Sequence, residues 1–267
     1  MLLETAEMGV TKTQDTMPEM MKIGMGGLAI ADMSGTQAIA RVEVSLEHGR
    51  QMKLGFVNAH CVNIARRNAT YRDALAGFLL LPDGVGVDIG AKILHGQRFS
   101  ENLNGTDFIP RLVAALSGHR RIALVGAAPG VAERAAASLA AVAPNHDYIA
   151  IADGYFDDKG RRDILDRLVA ERADIVLVAL GVPAQEIFIN RYLAERHGTV
   201  FIAVGALFDF LAGNVARAPR PIRKLRLEWI WRLALEPRRL FRRYLLGNPV
   251  FLKEIAVEKL GRWRRKP

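Results

Sequence analysis

A carboxylate at the end of a buried strand is the first place in this sequence to look for chemistry. Leu79, Leu80 and Leu81 read as the end of an apolar strand. Pro82 stops it, having no N–H to give a ladder, and Asp83 follows where the chain leaves the sheet. Gly84 and Gly86 let the backbone turn tightly before a helix. In open α/β sheets ligands bind at the carboxyl ends of strands, so Asp83 is a candidate catalytic base. The same position suits an aspartate that caps the following helix, and the local sequence leaves both readings open.

Other strand ends carry glycine. Gly126, Gly154 and Gly181 each follow an apolar run. There the backbone N–H groups of a helix N-terminus, with the helix dipole, suit a diphosphate. Each glycine alone is equally a tight turn; three at successive strand ends point to a nucleotide cleft. The Gly-x-Gly-x-x-Gly and Gly-x-x-x-x-Gly-Lys-Ser/Thr fingerprints are absent. So are a Cys/His cluster, His-Glu-x-x-His, an EF-hand loop and Asp-x-Asp, leaving no obvious carboxylate clamp for a metal on a diphosphate. A departing diphosphate would then be neutralised by arginines or helix termini. Gly-x-Ser-x-Gly is missing too. Cys61 reads as a small core residue, His60 and His95 as polar junction residues, and Asp157-Asp158 as a solvated turn.

These residues must be positioned by the pattern around them. Apolar strands are expected at 54–58, 78–81, 121–126, 148–152, 174–180 and 199–204. Helices are expected at 61–68, 71–76, 87–94, 108–116, 131–142, 161–171 and 186–196. Ile89, Ile93 and Leu94 would lie on the apolar side of the 87–94 helix. Residues 40–44 suit either a half-buried strand or a short amphipathic segment. Strands that are apolar throughout and alternate with helices imply a mostly parallel, Rossmann-like sheet with helices on both faces, an α/β fold. Residues 1–20 read as a poorly ordered leader without signal-peptide character, and 21–213 as the sheet domain.

From residue 214 the pattern changes. Residues 217–267 hold 16 Lys and Arg against 4 Glu, a net of +12, so residues 1–216 carry −3 of the total +9. Two Arg-rich helical segments with aromatic residues are expected at 225–235 and 238–246, interrupted by Pro237. A basic amphipathic helix of this kind suits an anionic membrane surface; packing on its own domain is the plainer reading. Nucleic acid is disfavoured, since no recognised binding motif accompanies the charge. No apolar run of 18 residues occurs, so no transmembrane helix is expected. A single cysteine excludes a disulfide framework within the chain.

Eight motifs run in order along the chain: Leu81-Pro82-Asp83-Gly84-Val85-Gly86, Asn104-Gly105-Thr106-Asp107, Gly154-Tyr155-Phe156, Gly181-Val182-Pro183-Ala184-Gln185-Glu186, Phe208-Asp209-Phe210 with Gly213, Arg217-Ala218-Pro219, Glu228-Trp229, and Glu236-Pro237 through Arg243-Tyr244. Taken together, they resemble the WecG/TagA/CpsF family of bacterial glycosyltransferases from about residue 56 to 246. The resemblance implies an inverting, metal-independent enzyme without cofactor. It would move a sugar from a UDP donor to a polyprenyl-diphosphate-linked saccharide at the cytoplasmic face of the membrane. N-acetylmannosamine, its uronic acid or glucose are the donor sugars implied, and self-association is possible. It implies Asp83 as general base, Asn58 as an orienting residue and Gln185 as a donor contact. Gly126, Gly154, Tyr155, Gly181, Pro183 and Glu186 would form the nucleotide site. The basic tail would dock at the membrane, with Arg217, Arg220 or Arg223 neutralising the leaving group. Phe56 and Asn102 depart from the threonine and arginine frequent in the family, which points to a different donor sugar. A nucleotide- or lipid-binding regulatory protein on the same sheet is the alternative.

Overall fold

Strands with apolar residues on both sides need cover on both faces, and the fold supplies it. A computed structural model of the chain describes residues 20–219, 221–222 and 227–264; Arg220, Arg223 and all but one residue of the expected leader lie outside them. Strands β3 (Met52–Val57), β4 (Phe78–Pro82), β5 (Arg121–Gly126), β6 (Asp147–Ala152), β7 (Ile175–Ala179) and β8 (Val200–Ala203) form one sheet in the order β4-β3-β8-β7-β5-β6. Every neighbouring pair is parallel. Along β7, Val176 and Val178 enter the core on one face, while Ile175, Leu177 and Ala179 enter the core on the other. That alternation explains an unbroken apolar strand: its two faces serve two cores.

Helices α1 (Gly35–Glu47), α5 (Gly105–Ala115), α6 (Val131–Val142) and α9 (Leu207–Leu211) contribute to one core. Helices α2 (Ala59–Arg67), α3 (Ala69–Leu75), α4 (Val85–His95), α7 (Asp158–Glu171) and α8 (Ala184–Tyr192) contribute to the other. A hairpin, β1 (Lys22–Met25) and β2 (Leu28–Ala31), joins the second core. Residues 40–44 are helical, not extended. Ser34 and Gln37 make a capping box that starts α1, and Ala38, Val42 and Leu46 bury one stripe at four-residue spacing.

The expected apolar side of the helix after Asp83 is corrected. Ile89 and Ile93 are exposed, whereas Val87, Asp88, Ala91 and Leu94 are buried. Gly90 explains the rotation. A Cβ there would stand 2.8–2.9 Å from Met25 and Phe251, so α4 turns its glycine face to the hairpin and to the chain's last helix.

That last helix, Gly247–Arg264, follows two shorter segments, Glu228–Leu235 and Pro237–Phe241, and a five-residue π-helical stretch Arg242–Leu246. It is not a free tail. Phe251 and Ile255 are buried in the second core. Asn63 Nδ2 donates to Gly247 O at 2.8 Å, Lys259 Nζ to Leu94 O at 3.2 Å and Arg262 to Gly24 O at 3.0 Å. Glu258 accepts from the Gly26 amide and pairs with Arg66. The helix thereby ties α2, α4 and the hairpin together. Phe251→Ala is expected to lower stability by about 3–5 kcal/mol in urea denaturation; unchanged stability would mean that the helix is not docked.

Candidate active site

The register of β3 on β4 builds the centre of the site. Val57 pairs with Pro82, so Asn58 and Asp83 emerge abreast just past the carboxyl edge. The Asp83 amide continues the ladder by donating to Val57 O at 2.9 Å, and Asn58 Nδ2 donates to Asp83 Oδ2 at 3.1 Å. Asn58 is oriented by its other end: its Oδ1 caps α2, accepting from the amides of His60 and Cys61 at 3.1 and 3.2 Å. The cap leaves only the amide nitrogen to face the carboxylate. Asp83 itself caps nothing; Gly84 holds the N-cap position of α4 without a side-chain cap bond. Of the two readings open in the sequence, the helix cap is therefore excluded.

Around this pair opens a cleft of about 1220 Å³, larger than the roughly 300–1,000 Å³ of a drug-sized pocket. Residues at or just beyond the carboxyl ends of all six strands of the large sheet reach it: Asn58, Asp83, Ala127, Gly154, Gly181 and Gly205. The connection after β5 runs outward to β6, while that after β7 runs the opposite way to β8. Their diverging loops make the kind of crevice in which α/β sheets bind ligands.

Residues of the C-terminal segment complete the lining. Glu228, Trp229, Arg232, Arg243 and Tyr244 line the same cleft. Trp229 and Tyr244 meet edge to face at 5.9 Å, and Arg232 lies 5.1 Å over the Phe210 ring. Arg217 does not line the cleft. It pairs with Asp107 at 2.8 Å, on a helix start capped by Asn104, and so fastens the departing chain to α5.

Electrostatics follow from this enclosure. Asp83 keeps some accessible surface but lies deep in the cleft. Burial pushes its carboxyl above the ordinary range, against the Asn58 hydrogen bond and the charges of Arg243 and Arg232. Burial also raises Glu228, with Asp107 and Asp83 adding to the effect and Arg217 and Arg232 opposing it. His60 is lowered to about 4, first by burial and then by Arg243, so at neutral pH it is an uncharged hydrogen-bonding group. Cys61 is fully buried and raised to about 11, as befits a core thiol.

Other expected site residues divide. Asn58, Asp83, Gln185, Gly154, Tyr155 and Gly181 all reach the cleft; Gly126, Pro183 and Glu186 do not line it. At Gly126 the backbone passes so close to β7 that a Cβ would stand 2.4 Å from Ala179 O. Its glycine serves strand packing, and Ala127 and Ala128 take the cleft surface instead. Gln185 ties the start of α8 to the loop after β8: Oε1 accepts from the Gly205 amide at 3.0 Å, and Nε2 donates to the neighbouring Glu186 Oε1 at 2.9 Å. Glu186, 1% exposed, supports Gln185 from behind the wall. Its burial raises it to about 7.

Arg232 and Arg243 were missed as site residues. One signal was present: Arg232 stands four residues after Glu228, so the two share a helix face. Among the described residues, no group of His, Cys, Asp and Glu gathers as around a metal ion.

The sequence profile of the glycosyl transferase WecG/TagA/CpsF family matches residues 23–265. An N-acetylglucosaminyldiphosphoundecaprenol N-acetyl-beta-D-mannosaminyltransferase of Bacillus spizizenii is 33% identical over 205 residues, covering 76% of this chain and 77% of that one. The protein of the same name from Bacillus subtilis is 34% identical over 205 residues, covering 76% and 78%. With its strand-end carboxylate, its two-sided cleft and a match along nearly its whole length, the chain belongs to the WecG/TagA/CpsF family of glycosyl transferases.

Proposed function

We propose that the protein transfers a sugar from a UDP donor to a hydroxyl of a polyprenyl-diphosphate-linked saccharide in envelope or exopolysaccharide biosynthesis. The observation that carries this reading is Asp83, held by Asn58 in a cleft that Arg232 and Arg243 also line. The relatives' names supply the acceptor type: they act on a sugar-diphosphate-linked undecaprenol.

In this mechanism the Asp83 carboxylate accepts the acceptor hydroxyl's proton as that oxygen attacks the anomeric carbon. The bond from that carbon to the diphosphate oxygen breaks, and UDP leaves with the electron pair. A single displacement with base and leaving group on opposite sides inverts the centre. Arg232 and Arg243 are assigned as counter-charge to UDP in place of Arg217, which pairs with Asp107, while Arg220 and Arg223 lie outside the described residues; guanidinium forks suit phosphate oxygens. No metal or other cofactor is assigned a part. Gln185 and the loops at Ala127, Gly154, Tyr155 and Gly181 are assigned to the donor.

Membrane association belongs to the same proposal. No described helix is long and apolar enough to cross a membrane. Phe241, Leu245 and Leu246 are about half exposed beside Arg238 and Arg242, a mixture suited to lying on an anionic surface at the inner face of the cell membrane.

Purified protein given a panel of UDP-sugars and a short polyprenyl-diphosphate-sugar should add the mass of one hexose, N-acetylhexosamine or N-acetylhexosaminuronic acid residue, in EDTA as well as without it. No transfer with any donor would favour a nucleotide- or lipid-binding regulator. Asp83→Asn should keep UDP binding and lose about 10²–10⁴-fold in turnover; unchanged turnover removes the base.

The pH dependence has a definite sign. The base works ionised, so activity is present above the Asp83 pKa and falls as pH drops through it, at a pH above the ordinary 3.8. Arg243 lowers that pKa; Arg243→Met should therefore move the acid limb of kcat/KM to higher pH, and a limb moving lower would contradict the placement.

A further inference from the structure

We infer that Asn102 is a positioning residue for Asp83, a latch on the outer side of the catalytic loop. The inference rests on the reading of Asp83 as the base. Strand β4 is an edge strand of the six-stranded sheet. On its inner side the Asp83 amide is paired with Val57 O; on its outer side no strand of that sheet is found among the described residues. The segment at Asn102–Leu103 takes that place. The Leu103 amide donates to Pro82 O at 2.8 Å. One residue further, where a neighbouring strand would use backbone groups, the Asn102 side chain does the work. Its Oδ1 accepts from the Gly84 amide at 2.8 Å, and its Nδ2 donates to Gly84 O at 2.9 Å. The same nitrogen reaches Asp88 Oδ2 at 3.4 Å, inside α4.

Such a latch matters at this position. Gly84 stands directly after Asp83 with φ of 82°, and a Cβ there would meet nothing within 4 Å. Neighbouring atoms therefore do not confine it, and glycine is the residue least confined by its own backbone. The peptide groups on either side of Gly84 set the direction in which Asp83 leaves the sheet, and Asn102 holds one group from each. Asn58 then fixes the carboxylate from the inner side. A side-chain amide is suited to this double task because it carries a donor and an acceptor on one small plane. Asn102 also faces the cleft, so the competing role is direct contact with the donor, and the two roles separate in kinetics.

The test is steady-state transfer by Asn102→Ala and by Asn102→Leu, which fills nearly the same volume without hydrogen bonds. UDP affinity, thermal midpoint and Gly84 amide exchange are read on both. The latch predicts a fall in kcat of about tenfold to a hundredfold, the scale of a misplacement near 1 Å. Donor KM and UDP affinity should stay within about twofold, the midpoint should be kept, and Gly84 should exchange faster. Weaker donor binding with kcat unchanged would overturn the latch and make Asn102 a donor contact. Unchanged kinetics would overturn it too, as would loss of folding in both variants, which would make Asn102 a general structural residue. Asp83→Asn measured beside them separates the two levels: if it retains turnover the base reading falls, whereas an inactive Asp83→Asn with fully active Asn102 variants removes only the latch.

Discussion

The pairing of Val57 with Pro82 is the constraint on which the rest of the site depends. A parallel register fixes which residues clear the sheet edge together. Here it sends out an asparagine and an aspartate side by side, each already committed by its backbone. The Asn58 side chain cannot turn away without uncapping α2, the Asp83 backbone cannot leave the sheet edge without releasing the Val57 carbonyl, and the Asp83 carboxylate is held by the Asn58 amide. A slip of one residue would reverse the face of every side chain on the strand, and the buried alternation of β3 and β4 over two cores opposes it. The geometry of the carboxylate is thus a consequence of core packing.

Enclosure supplies the electrostatics. Burial makes the Asp83 carboxylate a stronger base, while Arg232, Arg243 and the Asn58 amide keep its ionised form accessible. The same arginines come from the last part of the chain, so one segment closes the cleft and tunes its floor. That segment is held at both ends: by the Arg217–Asp107 ion pair where it departs from the sheet, and by Phe251, Ile255 and the Glu258 cluster where it returns. Stability of the C-terminal helix and completeness of the site are therefore physically linked.

Much of this was legible in the sequence, for identifiable reasons. Apolar runs such as Ile175–Ala179 alternate with helices over a regular interval, and a parallel sheet is the arrangement that buries such runs on both sides. Strand ends were marked by Pro82, Gly126, Gly154 and Gly181, so Asp83, Tyr155 and Gln185 could be located. What the sequence did not disclose depends on pairing between distant segments. Gly126 looks like Gly181 in sequence, but its strand passes against Ala179 O, so one glycine packs and the other faces the cleft. Ile89 and Ile93 have helical spacing, yet Gly90 is the residue that meets Phe251, and that contact turns them outward. Arg232 and Arg243 were lost among a run of arginines, because only the return of the chain onto α2 and α4 singles them out.

The most direct measurement is a structure of the protein with UDP bound. The diphosphate oxygens are expected within hydrogen-bonding reach of Arg232 or Arg243, with the terminal phosphate directed so that the sugar position faces Asp83 across the cleft. A diphosphate bound away from both arginines, with Asp83 outside the space where the sugar would lie, would contradict the assignment of base and counter-charge together.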